Sequence, residues 1–191
     1  MRRLLLACFF ILVPTLCLAQ NSARMDEVLQ SYVSSSGFAG TVLVARGDSV
    51  VFSKAYGVSA DAASPVASIT KQFTAAAILL LEERGRLRID DLVSTHLPEA
   101  PPSWKTMTLF HLLTHTAGFQ GLFTPPAARR GLKSTDGTLA GFVQAAMQST
   151  LDTEPGASFN YNNSGYFVLG HLIQTITGQP YERFIQDNFL T

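Results

Sequence analysis

Apolar residues recur along the chain at different spacings, and each spacing predicts an element. Between Arg24 and Ser35, Met25, Val28, Leu29, Tyr32 and Val33 fall at helical spacing, and Ser36-Gly37 ends the run. Segments 39–46 and 49–56 are rich in β-branched residues and read as two strands. Gly47-Asp48 between them has the length and chemistry of a tight hairpin turn. A linker of small residues, 57–65, follows. From Ser68 to Arg84, Ile69, Phe73, Ala76, Ala77, Leu80 and Leu81 trace one apolar stripe, and Gly85 is a good C-terminal stop. Proline-rich loops flank a short helix near 108–116. A further helix is predicted near 136–149, ahead of the turn Glu154-Pro155-Gly156, and apolar helices near 164–177 and 180–190 follow. No internal repeat appears. Two strands make only a marginal sheet with both edges open, so the pattern predicts an α+β chain that lacks part of its sheet.

The first twenty residues obey another rule. Arg2 and Arg3 precede an apolar run from Leu4 to Leu16, broken only by Pro14 and Thr15, and Cys17-Leu18-Ala19 offers small residues before a cut at Gln20. This is the pattern of a signal peptide over 1–19, too short for a good spanning helix; the alternative is an uncleaved N-terminal anchor. The expected destination is the periplasm or the exterior, with no stable membrane insertion after cleavage.

That leader changes what composition means. The 191 residues carry 14 basic and 14 acidic side chains; without Arg2 and Arg3, 12 basic residues face 14 acidic ones. Cys8 and Cys17 both lie in the leader, so the remaining chain has no thiol chemistry, which excludes a cysteine nucleophile or redox role and suits an oxidising compartment. With 47% hydrophobic and 15% charged residues the chain is globular, and its near-zero charge gives no reason to expect a nucleic-acid partner.

Candidate chemistry sits at two places. Ser68-Ile69-Thr70-Lys71 opens the strongest helix, and three residues is close to one turn, so hydroxyl and ammonium share a face beside the positive end of the helix. Burial disfavours the charged form of a lysine, which is how a serine can be activated without a histidine. With 16 serines and four lysines, chance alone supplies about 0.3 such pairs, so the pair also fits a serine cap followed by a solvated lysine. Tyr161-Asn162-Asn163 begins a later helix. A phenol near a lysine can shuttle protons, and an asparagine amide can hold the lysine and a substrate carbonyl. The plainer reading is a core aromatic beside a helix cap. His111 and His115 are four apart on a helix, but the glutamate of a zinc-protease helix is absent, so no metal or cofactor is expected. Asp90-Asp91 reads as a cap after the long helix rather than an acid/base couple.

Together these motifs resemble the serine β-lactamase and penicillin-binding-protein superfamily, in particular its β-lactamase-related, class C-like members with S-x-x-K and Y-x-N. Gly40-Thr-Val-Leu-Val, the helix from Ala67 to Leu87, Leu97-Pro98, His111-Leu-Leu-Thr-His-Thr-Ala-Gly118 and Tyr161 to Gly170 fall in family order. The resemblance covers roughly Asp26 onward. It implies a β-lactamase/transpeptidase-like α/β sandwich, with Ser68 as the acylated nucleophile, Lys71 taking its proton and Tyr161 assisting as acid or base. Asn163 would orient Lys71 and the substrate amide, and the Ser68 N–H would serve half of an oxyanion hole. Asn162, where relatives often have serine, reads as a solvent-side position.

The chain departs from the family in two respects. The segment 57–68 is shorter than relatives usually have, and no Lys/His-x-Gly triad of a C-terminal strand is present; after Lys133 there is no lysine, and His171-Leu172-Ile173 lacks the glycine. That strand donates the second oxyanion N–H, worth ~10²–10³ in rate. Residues 20–191 are therefore expected to form the N-terminal portion of an exported serine hydrolase, inactive by themselves. The substrate would be an amide, β-lactam, D-Ala-type peptide or ester. An inactive relative that binds cell-wall peptide or a protein partner, or a free-standing domain with relic motifs, remains the alternative.

Overall fold

The structure, a computed structural model, describes residues 22–120 and 137–190. The expected leader at 1–19 and the first residue of the expected 136–149 helix lie outside the described residues. The chain divides into two compact units at the Pro65–Val66 junction, where the small-residue linker ends.

The first unit holds helix α1 (residues 22–36) and the hairpin of β1 (Gly40–Arg46) and β2 (Ser49–Tyr56). The strands pair antiparallel, with Val42 opposite Lys54 and Val44 opposite Phe52, and a bulge follows Val44. Alternation along β1 half-buries Val42 and Val44 and leaves Leu43 exposed, the signature of a sheet with one covered face. Met25 and Leu29 of α1 and Val42 and Val44 of β1 line one apolar cleft on the covered face. Asp26 ties helix to sheet: it accepts from Lys54 Nζ and from Tyr56 OH, both at 2.7 Å.

The second unit is helical: α2 (Thr70–Glu83), α3 (Val93–His96), α4 (Leu109–Leu113), α5 (Leu139–Gln148), α6 (Ser164–Thr177) and α7 (Tyr181–Phe189). Helix α6 is its axis, packed on α2, α4, α5 and α7. Its Val168, Leu169, Leu172 and Ile173 are fully buried with Ile78 and Leu81 of α2, Leu112 of α4 and Val143 of α5. Trp104 and Phe119 close the core edge to face, 5.2 Å between ring centres. Gly165 permits close approach: a Cβ there would lie 3.3 Å from the Leu112 carbonyl oxygen. Among the described residues no helix is long and apolar enough to cross a membrane.

The predicted elements and the observed ones differ mainly at ends. The long helix ends as expected at Gly85 (φ +67), where Gly85 N–H bonds Glu82 O and Arg86 N–H bonds Leu81 O. Its start differs: α2 begins at Thr70, and Ser68 lies in a 3₁₀ turn, Ala67–Ile69. Ala67 is left-handed (φ 45), and the bonds Ile69 N–H to Val66 O and Thr70 N–H to Ala67 O tighten the first turn.

Candidate active site

The site is built on the packing of α6 against α2. Lys71 stands in the first turn of α2 and Ser68 in the 3₁₀ turn just ahead, which puts the hydroxyl within reach of the ammonium at 3.2 Å. The other half arrives from 90 residues later. The segment 152–160 is laced to 115–119 by Asp152 N–H to Gly118 O, Gly156 N–H to Thr116 O and Asn160 N–H to His115 O. This lacing delivers Tyr161 and Asn163 to the start of α6.

Asn162 corrects a sequence expectation. Read as solvent-side, it is buried, 2% exposed. Its Oδ1 accepts from Gly165 N–H at 2.9 Å, its Nδ2 donates to Asn160 O, and its N–H points to His115 Nδ1. An asparagine side chain that bonds the N–H three residues on serves as a helix cap. Because Asn162 performs the capping, the neighbouring Asn163 amide is free to turn to Lys71.

Four predicted residues thus converge. Lys71 Nζ donates to Asn163 Oδ1 at 2.7 Å and to Ser68 Oγ at 3.2 Å, while Tyr161 OH donates to Ser68 Oγ at 2.7 Å. Ser68 and Asn163 are exposed, Lys71 and Tyr161 half-buried. The Lys71 hydrogen bond, aided by that of Ser68, holds the Tyr161 phenol below the ordinary tyrosine range. The cause is physical: donors aimed at the phenolate oxygen favour the charged form. A phenol acidified in this way ionises more easily, and its phenolate, in contact with Ser68, can take the serine proton and return it.

Tyr166, which the sequence did not single out, and His115, weighed there only as a metal ligand, complete the surroundings. Lys71 Nζ lies 4.9 Å from the ring centre of Tyr161 and 5.5 Å from that of Tyr166, a cation held between two aromatic faces. Tyr166 OH donates to Leu113 O at 3.0 Å, and burial pushes its phenol up. Behind them His115 packs against both rings, at 4.5 Å from Tyr161 and 5.0 Å from Tyr166. Burial, then the charge of Lys71, lowers the pKa of His115 and so favours the neutral imidazole. Tyr166 was findable: it is three residues past Asn163 and shares its helical face. The contacts of His115 span 46 and 51 residues, which no local spacing reveals.

The remaining histidine and acid motifs have local tasks. Thr108 and His111 form a reciprocal cap of α4, with Thr108 Oγ1 accepting from His111 N–H and His111 Nδ1 from Thr108 N–H. Asp91 Oδ2 closes a turn by accepting from Arg88 N–H at 2.8 Å and pairs with His96 Nε2 at 2.9 Å.

The family model described as Beta-lactamase matches residues 25–191. The chain belongs to the Beta-lactamase family. Among curated relatives of this Beta-lactamase-family chain, Protein flp of Staphylococcus aureus strain MW2 is 31% identical over 184 residues, covering 89% of the chain and 36% of the relative. Of solved structures, a D-stereospecific amidohydrolase from Streptomyces is 30% identical with a TM-score of 0.61, covering 73% of this chain and 45% of that one. A penicillin binding protein from Bacillus halodurans is 26% identical with a TM-score of 0.66, covering 84% and 53%. The fold is therefore β-lactamase/transpeptidase-like, here α-rich with a two-stranded sheet among the described residues. The chain spans 36% to 41% of the length of the first curated relatives it matches.

Proposed function

We propose that Ser68 is the nucleophile of an acyl-transfer site acting on an amide, β-lactam, D-Ala-type peptide or ester. The observation that carries this reading is the convergence of Lys71 Nζ and Tyr161 OH on Ser68 Oγ, at 3.2 and 2.7 Å. Both distances lie at hydrogen-bond reach, the geometric condition for a serine and its base. Ser68 Oγ bonds to the substrate carbonyl carbon as its proton passes to the Tyr161 phenolate, which the Lys71 ammonium stabilises. The bond from that carbon to nitrogen or oxygen then breaks, and the leaving group takes a proton from Tyr161. Water cleaves the acyl-Ser68 ester by the reverse relay. Asn163 fixes Lys71 and offers its amide to the substrate, and the Ser68 N–H serves the developing oxyanion. The likeness to an amidohydrolase and a penicillin binding protein supports acyl donors of this class. We place the protein in the periplasm or outside the cell, on the leader pattern at 1–19.

The alternative is a relative that binds cell-wall peptide or a protein partner without turnover. Intact-mass measurement after exposure to a fluorophosphonate or a fluorescent penicillin separates the two. Acyl transfer predicts one adduct per chain, absent in Ser68→Ala and at least about 100-fold slower in Lys71→Ala. A chain that acquires no Ser68-dependent adduct is a binding protein instead.

A further inference from the structure

Beside the nucleophile a cavity of about 550 Å³ opens between α2, α6 and α7, bordered at one end by Ser68, Lys71 and Asn163. Its volume is that of a small-molecule site. The walls away from the nucleophile are Leu139, Phe167, Gly170 and the ring of Tyr181. Several polar groups of the lining bond one another. Thr74 Oγ1 and Tyr181 OH lie 2.7 Å apart, and Gln174 Oε1 accepts from Tyr181 N–H at 3.2 Å. Leu139, Phe167, Gly170 and the Tyr181 ring offer a charged group little in exchange for its water, whereas an apolar group loses nothing against them. Lys71 and the exposed Glu182 both border the space with opposite sign, so neither an anion nor a cation is preferred.

The half of the substrate that belongs here follows from the proton relay. Tyr161 delivers the leaving group's proton, yet Tyr161 does not line the cavity, while Lys71 and Asn163 do. The leaving group departs on the tyrosine side, and the retained acyl group extends along the lysine–asparagine side. We propose that the cavity holds the apolar side group of the substrate's acyl half. The acyl donors are then amides or esters of bulky, uncharged carboxylic acids, arylalkyl acids foremost. This rests on the acyl-transfer reading of Ser68.

Gly170 gives the means to test it. A Cβ built there would stand 3.6 Å from Leu139 Cδ2 and 3.8 Å from Tyr181 Cδ2, so alanine fits and a leucine would fill the space between the walls. The first measurement needs no chemistry. Phenylacetamide is titrated into the full chain carrying Ser68→Ala, and backbone amide NMR shifts are followed. Shifts centred on Phe167, Gly170 and Tyr181 are expected, absent with acetamide, and the affinity should fall about tenfold or more when Gly170→Leu is added. Shifts elsewhere, or equal responses to acetamide, overturn the cavity as an acyl subsite.

The second measurement compares Ser68 acylation by p-nitrophenyl phenylacetate and p-nitrophenyl acetate, read by intact mass. Phenylacetyl transfer should be about tenfold faster, from burial of its ring. That ratio should shrink with Gly170→Ala and approach one with Gly170→Leu; a folded Gly170→Ala keeps the series readable if the leucine variant does not fold. Equal rates for both esters in the wild-type chain sink the subsite while leaving acyl transfer standing. No Ser68-dependent acylation by either ester sinks the acyl-transfer reading, and the phenylacetamide titration then decides the cavity by itself.

Discussion

Tyr161 and Tyr166 face the same ammonium, yet their phenols move in opposite directions. Lys71 and Ser68 lower that of Tyr161, and burial raises that of Tyr166. Groups of one type pushed apart by their surroundings are how a site assigns acid and base roles. Here the division makes Tyr161 the proton carrier and Tyr166 a neutral wall tied to Leu113 O. If Lys71 is the main cause, Lys71→Met must return the Tyr161 phenol upward towards the ordinary tyrosine range near 10. Titration of tyrosine ¹³Cζ resonances reads this directly, with Tyr161→Phe to assign the signal. A Tyr161 curve indifferent to Lys71→Met would remove the lysine from the relay. At this scale Ser68, Lys71, Tyr161 and Asn163 were legible because their motifs name the residue types that proton transfer needs. Asn162 was not legible, since which of two adjacent asparagines caps and which faces the site depends on the entry angle of α6.

At the scale of elements, the position of Tyr161 depends on how tightly the chain 115–119 lies against 152–160. Gly118 sets that distance. Its φ is +85, and a Cβ would sit 2.1 Å from the Thr153 carbonyl oxygen. Left-handed strain and forced separation each cost roughly 1–3 kcal/mol, so Gly118→Ala should destabilise the helical unit by about 2–6 kcal/mol. Urea unfolding followed by Trp104 fluorescence measures it; a loss under about 0.5 kcal/mol would show that the two segments part without consequence. Ser68 labelling should fall as Tyr161 is displaced. Helix α6 was legible to the residue from its apolar spacing. The α2 start was not, because left-handed Ala67 and the 3₁₀ bonds that follow it have no signature in hydropathy.

Among the described residues two carboxylates, one per unit, are held below their ordinary range. In the first unit Asp26 is held below the usual carboxylate range by its hydrogen bond from Lys54, then by that from Tyr56. Burial, with the Asp26 hydrogen bond added, pushes Tyr56 up to about 12. In the second unit the His96 hydrogen bond, followed by that of Arg88 N–H, lowers Asp91. The spacing of Asp26 from β2 explains why the sequence did not reveal the first of these ties, and the linker 57–65 alone marked where the units divide. A group whose folded pKa is depressed binds protons more readily when unfolded. Its stabilisation is complete above the unfolded value, near 3.9 for aspartate, and drains away as pH falls through the folded value. Both units should therefore hold a steady melting temperature on account of these groups from pH 7 to about 5 and weaken below about 4. Amide exchange of β1 and β2 reports the first unit, and Trp104, the single tryptophan, reports the second. Asp26→Asn should flatten the acid response of the hairpin amides, and Asp91→Asn that of Trp104. If the hairpin amides of the wild-type and Asp26→Asn chains lose protection in parallel from pH 5 to 2, the α1–β2 tie contributes nothing, and apolar contact with Val42 and Val44 alone holds α1 to the sheet.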